Sequence, residues 1–220
     1  MTVDLTDPTR SVSATLDGPV LAVLARSGKP LTAGQIAAQA ARGSEIGIRR
    51  TLGRLVEQGI VRATEMGRNR VHELNRQHVA APAAQMLADL RIELWKRMRQ
   101  RLGTWNPKPL YACVFGSAAR GDGDAHSDLD LLLVHPPFPG DTDPGRGMGG
   151  PSGAAPLTER QLIKWRRQVD ELRSMVPAWT GNELQVLELS SYEWADHSRR
   201  GTELFQNVER EAVQIVGGPP

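Results

Sequence analysis

The chain has 220 residues with 40% hydrophobic and 24% charged side chains, enough for one large domain or two small ones and unlike a disordered or fibrous composition. Its single cysteine, Cys113, excludes an internal disulfide framework and a cysteine-cluster zinc site, and no apolar run reaches the ~18–20 residues of a spanning helix. The net charge of +2 hides an asymmetry: residues 1–108 hold 17 Lys+Arg against 9 Asp+Glu, whereas residues 109–220 hold 10 against 16. A basic half suits a polyanionic partner, and an acidic half can hold metal or simply decorate a surface. The opening MTVDLTDPTR has acids where a signal peptide has basic then apolar residues, so a soluble, cytoplasmic protein with no membrane partner is expected.

Residues 1–14 are polar and aperiodic and read as a frayed terminus. From Asp17, the apolar stripe Val20, Leu21 and Leu24 predicts a helix over 17–27, stopped by Gly28, Lys29 and Pro30. Thr32 with Gln35 three residues later is a capping-box spacing ahead of a second short helix that ends by Gly43. Ser44 opens a third, with Ile48, Leu52, Leu55 and Val56 on one side, Arg49, Arg50 and Arg54 largely off that stripe, and Gly59 at its close. The alternating runs IVRATE and RVHEL, separated by Met66, Gly67, Arg68 and Asn69, predict a hairpin carrying Arg62, Arg68 and Arg70.

This order, and the stretch SEIGIRRTLGRLVEQGIV in particular, resembles the winged helix-turn-helix of bacterial transcription regulators over residues 15–75. The resemblance implies a DNA-binding domain. Arg49, Arg50 and Arg54 would lie on the helix that enters the major groove, with Arg62, Arg68 and Arg70 on the wing. The alternative is a protein-docking module whose arginines are a solvated face. Arginines on both the third helix and the hairpin tip favour DNA.

A helical connector is expected over 76–106, its main helix following Pro82, with Leu87, Leu90, Leu94, Met98 and Leu102 at helical spacing and Arg91, Lys96, Arg97, Arg99 and Arg101 on its other side. It packs on one of the domains or pairs with a second copy in a homodimer, as winged-helix regulators commonly do.

The stretch LYACVFGSAARGDGDAHSDLDLLLV carries the chemistry. It reads strand, tight turn at Gly116 and Ser117, short helix, then a second apolar strand entered by Asp128 and Asp130. Alternation along a strand puts those two carboxylates on one face, where like charges are unfavourable unless a cation or positive partner neutralises them. Gly-Ser, ten residues, then Asp-x-Asp, with Arg120-Gly121 and Ser127 as accessory matches, resembles the signature of the DNA polymerase beta-like nucleotidyltransferases in their minimal form. The resemblance implies an NTP substrate, with Gly116, Ser117 and Arg120 receiving its phosphates and Asp128 and Asp130 holding Mg²⁺, two ions if active. It also implies transfer of a nucleoside monophosphate to a protein, RNA or small-molecule acceptor, and a HEPN-type partner.

The family supplies a third carboxylate from a later strand. In ELQVLEL, residues 183–189, the aligned position is Gln185, an amide that cannot act as a base. Glu183 shares its parity and substitutes if the register shifts, whereas Glu188 has the opposite parity. His126 is a candidate proton acceptor or phosphate contact, more ordinarily a solvated loop histidine. Cys113 reads as a small buried strand residue.

Residues 136–156 hold six prolines and six glycines, a loop that acts either as a lid or as a dispensable insertion. A helix over 157–175 with Leu162, Trp165, Val169 and Leu172 on its apolar face, the 183–189 strand and one or two terminal helices complete a domain over 107–218. The expected fold class is α+β in two domains: a winged helix-turn-helix, then a nucleotidyltransferase fold with a small mixed sheet flanked by helices. Two readings follow: a DNA-binding nucleotidyltransferase, or a transcription regulator whose nucleotidyltransferase fold has lost catalysis and senses nucleotide.

Overall fold

A computed structural model describes residues 2–121, 127–141 and 154–218. The chain divides into two units, Val3–Glu93 and Leu94–Pro220. None of the helices in the described residues is long and apolar enough to cross a membrane.

In the first unit a short 3-10 turn, Pro8–Ser11, precedes α1 (Asp17–Arg26), β1 (Leu31–Thr32), α2 (Ala33–Gln39), α3 (Glu45–Glu57), β2 (Val61–Met66) and β3 (Asn69–Leu74). The capping box at Thr32 and Gln35 forms as the sequence predicts, and the Ser44 side chain accepts from the Gly47 amide to start α3. The hairpin turn is tighter than expected: Met66 and Asn69 pair, leaving Gly67 and Arg68 as the loop, with Gly67 at φ +63°. The two-residue β1 escaped sequence reading. It pairs with β3, giving an antiparallel sheet in the order β1-β3-β2. Val20, Leu24, Ile36, Ile48, Leu52 and Leu55 form the core.

The helix α4 (Ala81–Gly103) holds the boundary between the units. In its first half the buried residues are Ala81, Ala84 and Ala88, which join the first unit's core, rather than Leu87 and Leu90, which are half-buried. Leu94, Trp95, Met98 and Leu102 are buried in its second half. Small side chains let a helix approach its neighbours closely, so the alanines lie deepest, while Leu87 of the expected stripe packs against the same core from a half-buried position. The residues expected as a connector over 76–106 are therefore divided between the two units.

The second unit continues with β4 (Tyr111–Phe115), α5 (Gly116–Arg120), β5 (Leu129–His135), α6 (Glu159–Thr180), β6 (Leu184–Ser190), α7 (Ser191–Arg200), α8 (Glu203–Glu211) and β7 (Val213–Val216). Its sheet has the order β6-β5-β4-β7, with β5 and β6 parallel and the other pairs antiparallel. This is the small mixed sheet flanked by helices that the sequence predicts, with β7 as an unforeseen fourth strand where helix was expected. Leu132 and Val134 of β5 face Tyr111, Cys113, Leu189, Trp194 and Val208 on one side. The other face includes Glu188, which accepts from Trp165 Nε1 of α6 at 2.6 Å. Capping boxes at Thr158/Gln161 and Ser190/Glu193 start α6 and α7. The 136–156 segment is described only in part, since residues 142–153 lie outside the described residues, and so does His126.

Candidate active site

The site candidates gather where β4 ends and β5 begins. Phe115 pairs with Asp130 across the antiparallel ladder, so the turn after β4 arises beside that carboxylate. Gly116 occupies the turn at φ +69°, a left-handed conformation that side chains rarely adopt, and a Cβ there would lie 2.5 Å from Asp130 Oδ2. Conformation and space both require glycine at this position. Ser117 and Arg120 follow on α5, which ends at Gly121 in the left-handed region.

Asp128 is exposed just ahead of β5, and Asp130 is half-buried on it. Burial pushes the Asp130 carboxyl above its usual range, and the Asp128 charge adds to the effect, while Arg120 opposes it. The two carboxylates thus feel one another electrostatically, as expected for acids on one strand face. Arg120 is not a bare cation: its Nη1 donates to Glu211 Oε1 of α8 at 2.9 Å, a tie invisible in the sequence because 91 residues separate the pair.

In the parallel ladder Asp130 lies opposite Gln185, and Gln185 Nε2 donates to Asp128 Oδ2 at 3.4 Å. The register thus puts the amide, rather than a carboxylate, beside the acidic pair. Glu183 is exposed and precedes β6, and its carbonyl accepts from the Leu129 amide at 2.9 Å. Glu188 is on the opposite face, as its parity predicts. Among the described residues, no group of three or more His, Cys, Asp and Glu side chains is placed to hold a metal ion.

Sequence reading missed Asn182. It is buried, and its Nδ2 donates to the Ser127 carbonyl at 3.0 Å, tying the entry to β6 to the backbone one residue before Asp128. Its own amide donates to Thr180 Oγ1 at the end of α6. An asparagine after a glycine at a helix end reads as turn composition, so its sequence signal was hidden. Cys113 is buried, with its thiol pushed up to about 11 by burial, in keeping with a structural strand residue.

The six arginines singled out in the first unit are all exposed. They differ in their partners. Arg49 pairs with Glu45 one turn earlier on α3, Arg54 with Asp17 of α1, and Arg70 with Glu65 across the hairpin. Arg62 donates to Gln77. Arg50 and Arg68 have no ion pair among the described residues.

Residues 91–179 match a family model described as the nucleotidyltransferase domain. The segment from 91 to 179 is thus similar to nucleotidyltransferase domains. The match includes Gly116, Ser117, Arg120, Asp128 and Asp130 and ends before β6, so Gln185 lies outside it. No curated protein matches the chain. Among solved structures, human N-acetylserotonin methyltransferase in complex with SAM matches with 18% identity and a TM-score of 0.28. That match covers 41% of this chain and 29% of the methyltransferase chain.

Proposed function

We propose that the second unit binds a nucleoside triphosphate with a divalent cation and transfers the nucleoside monophosphate to an acceptor. The observation that supports this reading is the seating of Gly116 against Asp130, which joins a left-handed glycine turn to a carboxylate pair inside the segment similar to nucleotidyltransferase domains. Gly116 lets backbone N–H groups approach a phosphate, the Ser117 hydroxyl donates to it, and Arg120 meets a phosphate oxygen by exchanging part of its contact with Glu211. Asp128 and Asp130 suit a hard cation, and Mg²⁺ commonly binds through one or two carboxylates plus substrate phosphates. A cation held there would supply positive charge against the negative charge developing on the phosphate oxygens. In the transfer, an acceptor hydroxyl oxygen bonds to the α-phosphorus and its proton passes to solvent, the bond from that phosphorus to the α,β-bridging oxygen breaks, and pyrophosphate leaves.

Incubation with each α-labelled NTP and Mg²⁺ or Mn²⁺, alone and with cell lysate, tests the reading. Label transfer that disappears in Asp128→Asn/Asp130→Asn supports it. Nucleotide binding without any transfer overturns it and favours the second reading, a nucleotide sensor, which Gln185 supports because an amide cannot take the acceptor's proton.

For the first unit we propose a winged helix that binds DNA and couples the nucleotide domain to transcription. The order α1-β1-α2-α3-β2-β3, with α3 ahead of a tight hairpin, supports it, as do exposed arginines on both elements. Mobility shifts on the protein's own promoter that weaken with added salt are the test.

A further inference from the structure

The acidic pair has an amide neighbour whose chemistry differs from what two-cation catalysis asks of it. Gln185 stands opposite Asp130 in the ladder and points Nε2 toward Asp128 Oδ2, 3.4 Å away. That nitrogen carries only donor hydrogens and offers a cation nothing, and Oε1 is a neutral ligand weaker than a carboxylate. The contact also occupies part of the acceptor capacity of Asp128. Asp128 and Asp130 together with nucleotide phosphates suffice as ligands for one hard cation. A second ion would find no third carboxylate grouped with them among the described residues.

Among the described residues the neighbouring acids do not repair this. Glu188 faces α6, where it accepts from Trp165 Nε1 and lies 3.9 Å from Arg173. Glu211 is held by Arg120. Glu183 stands exposed before β6 and forms no three-acid group with Asp128 and Asp130 among the described residues.

We propose that Gln185 makes this a one-cation nucleotide site: Asp128 and Asp130 take a single divalent ion together with the nucleotide, and the amide fills the place from which a second ion would be held. The inference rests on the nucleotide-site reading above and adds the number of ions and the residue that sets it.

Equilibrium dialysis of the full chain with Mn²⁺ and a non-hydrolysable α,β-methylene NTP counts both species retained with the protein. The native chain is expected to retain one Mn²⁺ per nucleotide. Gln185→Asp, and Gln185→Glu as a second variant, are expected to retain two; the position is exposed, and thermal melts establish that each variant folds. Two Mn²⁺ per nucleotide in the native chain overturns the proposal. One in both folded variants overturns the role given to Gln185, while nucleotide retention itself keeps the nucleotide-site reading intact. Failure of the native chain to retain any nucleotide overturns that reading, and this inference with it.

Discussion

Gly116 and Asp130 are fitted so closely that a Cβ on the glycine would stand 2.5 Å from the aspartate's Oδ2. The same glycine has φ +69°, so steric and conformational demands coincide. Gly116→Ala is expected to lose roughly 1–3 kcal/mol of stability from backbone strain, with additional loss where Asp130 must shift. Its nucleotide affinity should fall at least about tenfold, one step of ~1.4 kcal/mol, because the displaced carboxylate leaves the position its ligand requires. Denaturant midpoints and calorimetric titration measure the two effects. Unchanged nucleotide affinity in a destabilised variant would remove this turn from the site.

Arg120 should separate binding from stability in the opposite sense. Its ion pair with Glu211 is partly exposed on the arginine side, where such pairs contribute about 0–1 kcal/mol. A charge-assisted hydrogen bond to a phosphate contributes roughly 1.5–3 kcal/mol. Arg120→Ala is therefore expected to weaken nucleotide binding by about ten- to a hundredfold while moving the melting temperature little. A large loss of stability with intact binding would mark the residue as a structural tie to α8.

His135, at the far end of β5 from Asp130, gives the second unit a defined acid response. It is buried, stacks on Phe138 at 3.7 Å between ring centroids and bonds through Nδ1 to the Pro136 carbonyl. Burial lowers its pKa; the Pro136 bond and the charges of Glu188, Asp141 and Glu193 oppose that without reversing it. With the folded pKa below the unfolded value of 6.5, the unfolded chain binds the proton first, so stability is lost as pH falls below about 6.5 toward the folded pKa. Melting temperatures between pH 7.5 and 5.5 should decline less in His135→Gln than in the native chain. Equal slopes would assign the acid sensitivity elsewhere.

These relationships were unequally visible in the sequence. The Gly-Ser and Asp-x-Asp spacing is local, so the turn and the strand could be read from residue type and alternation, whereas the place of Gln185 came from the resemblance to the nucleotidyltransferases. Arg120 with Glu211 and Asn182 with the Ser127 carbonyl depend on distant segments meeting, which no local pattern encodes. β1 is two residues long and β7 follows α8 directly, too little chain in either case for alternation to declare itself. The charge asymmetry is altered most. With the boundary at Glu93/Leu94, Lys96, Arg97, Arg99, Arg101 and Lys108 move to the second unit, leaving 12 Lys+Arg against 9 Asp+Glu in residues 3–93 and 15 against 16 in residues 94–220. A case for DNA binding must therefore rest on where the arginines of the first unit stand rather than on its net charge.

Their placement gives an ordered expectation. On α3, Arg50 lies on the side away from buried Ile48, Leu52 and Leu55 and has no ion pair among the described residues, as is true of Arg68 in the hairpin loop. Arg54 is joined to Asp17 of α1 and Arg49 to Glu45. If the first unit binds DNA as proposed, Arg50→Ala and Arg68→Ala should weaken binding most with little change in melting temperature. Arg54→Ala should instead lower stability by up to about 1 kcal/mol through its lost tie between helices, with a smaller effect on DNA. Each phosphate contact removed should also reduce the slope of log affinity against log salt by roughly 0.9. An Arg50→Ala variant with native affinity and slope would move the interface off the outward face of α3. A base-edge role for Arg50 would appear as a loss confined to specific sites, with nonspecific binding and its salt slope preserved.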